Sequence, residues 1–357
     1  MIFHTSTTSE LPWKEMVNKA LEDSIDKYKK FVPVHLQLSV TNECNMHCSF
    51  CSFKHRDKSL QLNYADLKNI IDTFLKLGTK AITITGGGEP FCHPDINELL
   101  LYCHEKKIEV GLVTNGTLLN KLEYESAKSI KWCRISLSDD QNDKQIENIE
   151  TVLNNIVHKM PNTIKWSYSY VVLKNQNPLM QVRAVKFAKK LGFLNVRFVP
   201  DQNNVSNIDL DAVKKNMEKN NLLTEKGKSS DLCVFDEKPN TEFPDKCWMY
   251  LMRPFVAANG VVYPCCCTQY CSFGERPDSQ PIVCHYSEYK QKLDDTEMYK
   301  PECNICFFNH HNEWADARLN GVSSLEYCSN RGSKYVSEYK NVLALAEKGE
   351  FEDSNFL

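Results

Sequence analysis

The chain predicts an α/β fold built on a parallel sheet. Three observations carry that reading: six short runs rich in β-branched and apolar residues, helical segments alternating with them, and glycines that close several of those helices. The runs are His35–Val40, Ala81–Thr85, Val110–Thr114, Arg134–Leu137, Ser167–Leu173 and Asn195–Val199. Apolar residues recur at helical spacing near 64–77, 94–106, 119–129, 141–158, 179–190 and 208–220, and Gly78 and Gly192 follow two of these segments. Six such units fall short of a closed eight-fold barrel, and in parallel α/β folds the loops after the strand C-termini carry function.

The flanks are different in kind. Ahead of the first strand, Trp13, Met16, Val17, Ala20, Leu21, Ile25 and Tyr28 recur at helical spacing among Lys and Glu, which predicts a leading amphipathic helix over 12–31. Residues 221–246 lose periodicity and collect Lys, Ser, Asp, Asn and two prolines, as a linker does. Beyond it Phe255–Tyr263 reads as a β-hairpin with Asn259-Gly260 at its turn, inside a cysteine-dense stretch. The expected division is a helical extension over 1–32, a βα region over 33–220, a linker over 221–246, a cysteine-rich hairpin and helix domain over 247–330 and a helical tail over 331–357.

Composition narrows the function classes. A hydrophobic fraction of 42% in 357 residues supports a sizeable core. A formal charge of −3 offers no global basic field, so nucleic acid is not the leading partner. The N-terminus lacks a basic segment followed by an apolar one, and no run of 18 apolar residues occurs, so a cytoplasmic protein without a membrane partner is expected. Sixteen cysteines in such a chain argue for metal or redox chemistry rather than a disulfide framework.

Two motifs follow strands directly. Cys44, Cys48 and Cys51 stand at C-x3-C-x2-C spacing after the first strand. Three thiolates on one short loop can hold three corners of a cubane and leave a fourth iron without a protein ligand; a zinc knuckle or three incidental thiols are the alternatives. Gly86-Gly87-Gly88-Glu89-Pro90 ends the second strand, where glycines let backbone approach a ligand closely and Glu89 could balance an ammonium. A plain strand-to-helix connection is its rival reading.

With aromatic Phe50 directly before Cys51, the triad resembles the cluster loop of radical S-adenosylmethionine (SAM) enzymes. The turn at 86–90 resembles their methionine-amino-binding motif, with Gly86 where the commoner form has a polar residue. The resemblance covers about residues 33–220. It implies a partial (β/α)6 barrel, a [4Fe-4S] cluster on Cys44, Cys48 and Cys51, SAM chelating the open iron, and one-electron cleavage of SAM to a 5′-deoxyadenosyl radical. A flavodoxin or ferredoxin is the implied electron donor. Cofactor-contacting positions under this resemblance are Phe50, Gly86, Gly87, Gly88, Glu89, Asn115 within Thr114-Asn115-Gly116, and Ser136 with Ser138; turn capping competes at the last sites. Arg197 is a candidate partner of the SAM carboxylate.

A second cysteine pattern runs from Cys247 through Gly260 and Cys265 to Cys303-Asn-Ile-Cys306. It resembles the auxiliary-cluster module of the SPASM and twitch groups of radical SAM enzymes, which implies a second [4Fe-4S] cluster closed by four thiolates. Structural zinc is the alternative. Asn312 stands where the full SPASM pattern has its next cysteine, so a single auxiliary cluster in a twitch-like arrangement is expected. Cys266, Cys267, Cys271, Cys284 and Cys328 leave room for ligand exchange or an extra site. His310 and His311 invite a metal reading or a surface one, and Cys92, Cys103 and Cys133 read as packing residues.

The resemblance implies hydrogen abstraction from a substrate carbon, with the product radical's electron passed to the auxiliary cluster in a net oxidation (dehydrogenation). Only 43 residues precede Cys44, little room for a precursor-binding module, so a sugar, cyclitol or nucleoside-like substrate is expected over a leader-bearing peptide. A peptide- or protein-modifying maturase is the alternative. From another class comes a non-catalytic iron–sulfur electron relay. Arg197 and Asp201 are the candidates to take a hydroxyl proton.

Overall fold

Seven parallel strands set the frame: β1 (His35–Leu38), β2 (Ala81–Ile84), β3 (Glu109–Thr114), β4 (Ile130–Ser138), β5 (Lys165–Val172), β6 (Asn195–Pro200) and β7 (Cys233–Phe235) pair in that order. The structure, a computed structural model, describes residues 11–204, 207–223, 232–236, 246–266, 282–294, 306, 308–351 and 353–357. Helices α1 (Trp13–Met16) and α2 (Lys19–Tyr28) precede β1, and α3 (Tyr64–Leu77), α4 (Ile96–Glu105), α5 (Tyr124–Ala127), α6 (Asp143–Ile156), α7 (Pro178–Leu191) and α8 (Leu210–Lys219) connect or follow the strands. Asparagine side chains cap α3, α6 and α7 by accepting backbone N–H bonds, and glycines in left-handed conformation end α3 and α7.

Alternate strand residues do different work. Leu36, Ile82, Leu112, Ile135, Tyr168 and Phe198 point outward and are buried with the helices in one large apolar core. On the same strands Val113, Arg134, Ser136, Ser169, Arg197 and Val199 point inward and keep partial exposure. The interior of the sheet's curve is therefore a polar chamber, unlike the filled centre of an eight-stranded barrel. Its pairing order leaves β7 as one edge, so the barrel is partial.

Two expectations are corrected and a third is extended. The segment expected as a linker contains β7, which pairs with β6 and so belongs to the barrel. The predicted 255–263 hairpin forms as β8 (Phe255–Val256) and β9 (Val261–Tyr263), yet β8 pairs in parallel with the open edge of β1, and β10 (Cys284–His285) adds to β9. An unpaired edge at β1 is satisfied by a strand far away in sequence, which local pattern does not reveal. The leading helix splits at Val17–Asn18, where the Asn18 side chain accepts from Leu21 N and starts α2 afresh.

A second core joins the two flanks. Leu11, Trp13, Met16, Leu21 and Ile25 pack with residues of α9 (Met249–Met252), α11 (Asn309–Leu319), α12 (Ser324–Ser329) and α13 (Ser333–Glu347); α10 (Tyr289–Asp294) lies instead against the barrel core. Glu15 pairs with His311 at 2.5 Å and Glu22 with Arg318 at 2.6 Å across this junction. The extension and the tail are thus one unit with the cysteine-rich segment. After α13 the chain returns to the barrel: Lys14 Nζ donates to Phe356 O at 2.8 Å, Lys165 pairs with Asp353 at 2.8 Å, and the Phe356 ring meets His35 on β1 and Trp132 on β4 edge-on at 5.5 and 5.4 Å. This tail closes the barrel at the N-terminal ends of its strands.

Candidate functional site at the mouth of the barrel

The cluster loop, residues 41–61, leaves β1 and lies across the opposite end, where the strands terminate. An antiparallel bridge between Thr41 and Gln61 closes its base. Its moorings come from four other strand-end loops: Glu89 N donates to Glu43 O at 2.8 Å, Asn115 Nδ2 to Asn45 Oδ1 at 2.8 Å, Ser49 Oγ to Asp140 Oδ2 at 2.7 Å, and Asn203 Nδ2 to Phe50 O at 2.8 Å. The loops after β2, β3, β4 and β6 thereby hold one segment.

Cys44, Cys48 and Cys51 are each half-buried on this loop. Burial pushes the Cys48 thiol up to about 12, and the charges of Asp140, Cys51 and Cys44 act in the same direction, so the three sulfurs lie within electrostatic reach of one another. Such mutual repulsion disfavours three bare thiolates and is reversed by a bound cation. Met46 N donates to Cys44 Sγ at 3.4 Å and Arg56 Nη1 to Cys51 Sγ at 3.5 Å, donors of the kind that stabilise cluster-ligating sulfur. Among the described residues no three His, Cys, Asp or Glu side chains gather at the spacing of a single ion, whereas cubane thiolates bind separate irons. The donor set fits a [4Fe-4S] cluster.

The glycine turn presses on that loop. A Cβ at Gly88 would lie 2.0 Å from Glu43 O, so any side chain there would force the cluster loop away, and one at Gly87 would lie 1.9 Å from Asn42 Oδ1 and displace that side chain. Gly87 N donates to Ser39 Oγ at 3.0 Å. Among the described residues no donor reaches the carbonyls of Gly86, Gly87 and Gly88, which leaves them as acceptors for an ammonium. Glu89 is 2% exposed and already accepts from Thr114 Oγ1 at 2.6 Å, Asn115 N at 2.7 Å and Phe91 N at 3.2 Å. Burial raises its carboxyl above the usual range against these three bonds. Three of about four acceptor positions are used, so its first task is to fix the β2 and β3 loops together.

Other expected residues receive distinct assignments. The Asn115 amide spans Asn45 and its own turn, accepting from Thr117 N at 3.0 Å, and its Nδ2 lies 4.0 Å from Cys44 Sγ. Ser136 faces the chamber half-exposed, while Ser138 is buried and donates to Asp140 at 2.6 Å. Arg197 forks onto Asp236, Nε to Oδ1 at 2.6 Å and Nη2 to Oδ2. Asp201 accepts from Asn203 N at 2.9 Å and Asn204 Nδ2 at 2.8 Å, which closes its own loop. His311 is buried and its Nδ1 meets Glu15 Oε1 at 2.5 Å.

Of the second cysteine set, Cys247 and Cys265 are buried and Cys306 half-buried in the flanking core, together with Cys266 and Cys328. Cys303, Cys267 and Cys271 lie outside the described residues. Cys284 stands apart on β10 against the barrel core. Asn312 is 1% exposed, accepts from Trp248 N at 2.6 Å and donates to Phe308 O at 3.0 Å, so it ties α11 to the residue beside Cys247.

Sequence reasoning passed over Arg134, although it shares the inward period-two register of Ser136 and Ser138. Its guanidinium lies 5.0 Å from the Trp132 ring and its Nε is buried without a hydrogen-bond partner. Burial pulls its pKa down to about 9, with Arg197 acting the same way and Asp236 opposing, so it stays charged at neutral pH at an electrostatic cost.

Residues 38–197 match the family model described as the radical SAM superfamily. Among curated proteins, the GTP 3',8-cyclase of Aliarcobacter butzleri (strain RM4018) is 30% identical over 181 residues, 46% of this chain and 54% of that one. The antilisterial bacteriocin subtilosin biosynthesis protein AlbA of Bacillus subtilis (strain 168) is 34% identical over 101 residues, 28% and 22% of the two chains. The chain thus spans about half, or less, of these relatives. Among solved structures, Streptococcus suis SuiB bound to S-adenosylmethionine superposes with a TM-score of 0.56 at 17% identity, covering 78% of this chain and 70% of that one. The anSMEcpe structure with bound AdoMet and Kp18Cys peptide gives 0.51 at 14%, covering 90% and 100%. At these identities the likeness is one of fold. Among the described residues no helix is long and apolar enough to cross a membrane.

Proposed function

Taking as premise the radical SAM domain that residues 38–197 form, we propose that this enzyme cleaves SAM reductively at the barrel mouth and takes a hydrogen atom from a polar substrate held in the chamber below. The observation that carries this reading is the packing of the Gly86–Gly88 turn, with its open carbonyls, against the loop that bears Cys44, Cys48 and Cys51. When bound, the cluster and SAM supply the electron and the carbon radical.

The rest of the task falls to the chain. Cys44, Cys48 and Cys51 would hold three corners of the cluster, and the turn carbonyls would accept the SAM ammonium with Glu89 keeping them in place. Phe50, half-buried beside Cys51, contributes an apolar surface to the cluster. The tail covers Trp132 from below. Inward hydroxyls of Ser136 and Ser169 offer hydrogen bonds to a hydroxyl-rich substrate, which supports oxidation of a sugar, cyclitol or nucleoside-like molecule. In this reading Cys247, Cys265, Cys303 and Cys306 hold one auxiliary [4Fe-4S] cluster that accepts the second electron, and a flavodoxin or ferredoxin provides the first.

Peptide modification is the second reading. It draws support from the match to AlbA, a bacteriocin biosynthesis protein by name, and from the fold shared with SuiB, solved with its precursor peptide SuiA. Anaerobically reconstituted protein given SAM and dithionite is expected to form 5′-deoxyadenosine. Intact clusters without that product would instead indicate an electron relay. Deuterium transferred into 5′-deoxyadenosine from a labelled cyclitol or a labelled peptide separates the two substrate readings.

A further inference from the structure

We infer that Arg134 is the floor of a subsite for an oxyanion carried by the substrate, a carboxylate or a phosphate, inside the barrel and below the SAM position. The inference rests on the proposed function for the site above it and deepens it by naming a chemical feature of the substrate.

The placement comes from β4. Trp132, Arg134, Ser136 and Ser138 share one inward register, and Ser138 reaches the cluster-loop level through Asp140. Arg134 lies two rungs below Ser138, level with Ser167 of β5, and rests on the Trp132 ring at 5.0 Å. That indole is wedged from below by Phe356, and from the side by β3, where a Cβ at Gly111 would lie 2.1 Å from it. The guanidinium is thus set on a rigid apolar platform that leaves its fork no freedom to drop out of the chamber.

Charge balance supplies the second observation. The chamber's two arginines face one acid among the described residues: Asp236 is engaged by Arg197 in two bonds, and Arg134 Nε has no partner. A half-buried guanidinium with an unsatisfied donor costs free energy that a carboxylate or phosphate recovers through paired bonds. The half-exposed Ser136 and Ser169 flank the opening and can add hydroxyl donors. An aliphatic substrate would gain nothing from this arrangement.

The test uses the anaerobically reconstituted, SAM-loaded protein and two probes, inorganic phosphate and acetate, titrated by calorimetry. The wild type is expected to bind at least one of them at a single saturable site. Arg134→Gln, matched in iron content and thermal midpoint, should weaken that binding about tenfold or more, and Arg134→Lys should restore part of it. Should Arg134→Gln fail to fold, Ser169→Asp, which puts a carboxylate one inward rung above the guanidinium, should weaken binding likewise. Tighter phosphate points to a phosphoester and tighter acetate to a carboxylate; either supports the inference. Binding of neither probe to the wild type, unchanged binding in Arg134→Gln and Ser169→Asp, or displacement of the probes by SAM, which would assign Arg134 to the SAM carboxylate, each overturns it. Wild-type protein that forms 5′-deoxyadenosine yet binds neither probe defeats this inference alone; binding without SAM cleavage defeats the proposed function alone.

Discussion

The two cysteine-bearing regions place their thiols in opposite ways. Cys44, Cys48 and Cys51 lie within one loop, half-buried, and that loop is held from outside by Glu89, Asn115, Asp140 and Asn203. Cys247 and Cys265 are buried at 5% and 6% exposure, come from separate elements, and sit in a core shared with α1, α2 and α11. A ligand set gathered on a loop leaves one side open to an exchangeable molecule. Thiols gathered inside a core are closed in by the fold itself, so a substitution there is expected to lower stability as well as any metal content.

The largest effect that can break this contrast comes from paired cysteine variants. Cys44→Ala is expected to abolish 5′-deoxyadenosine formation while roughly half the iron remains, as two cubanes require. Cys303→Ala should also lower iron and stop product formation, but leave some uncoupled SAM cleavage. Equal loss of SAM cleavage in both, read by iron analysis and chromatography, would erase the distinction between open and closed sites.

Two buried carboxylates sharpen it further. In the second core, Glu15 is fully buried; burial pushes its carboxyl up, but His311 outweighs that and holds it below its ordinary value of 4.5. A depressed acid contributes stability above its unfolded value and loses it as pH falls through the folded one. Glu15→Gln is expected to cost about 3 kcal/mol near pH 7, since it breaks a buried pair. The wild-type advantage in thermal midpoint should shrink below about pH 4.5. A constant gap across that range would show that packing, not charge, matters there.

At the barrel mouth Glu89 is held by three neutral donors, and Glu89→Gln replaces one accepting oxygen with a donor facing Asn115 N or Thr114 Oγ1. SAM affinity should fall about tenfold while the first cluster's iron is retained. Equilibrium binding of SAM checks this, and normal affinity would reduce Glu89 to a turn former.

The barrel was readable where its signals are local. Strands β1 to β6 fall within a few residues of their period-two runs, and the Cys44–Cys51 loop and the Gly86–Glu89 turn follow strand ends as short contiguous motifs. What pattern could not supply was juxtaposition. β7 is three residues long within polar sequence, and β8, legible as one arm of a hairpin, carries no local sign of its pairing with the open edge of β1. Asn203 reaches Phe50 across 153 positions, and His311 reaches Glu15 across 296, so neither role has a signature near the residue itself. Asp201 carries the right chemistry for a base, and the turn it closes with Asn203 and Asn204 is visible only in three dimensions.

His35 on the first strand meets Leu357 O at 3.1 Å across 322 positions of chain. A contact so distant in sequence carries the entropic cost of closing the long loop between its ends, which the rest of the fold offsets. Phe356 beside it covers both His35 and Trp132 from beneath. The floor of the chamber is therefore set by residues remote in sequence from its walls, so a change at 353–357 is expected to be felt inside the barrel.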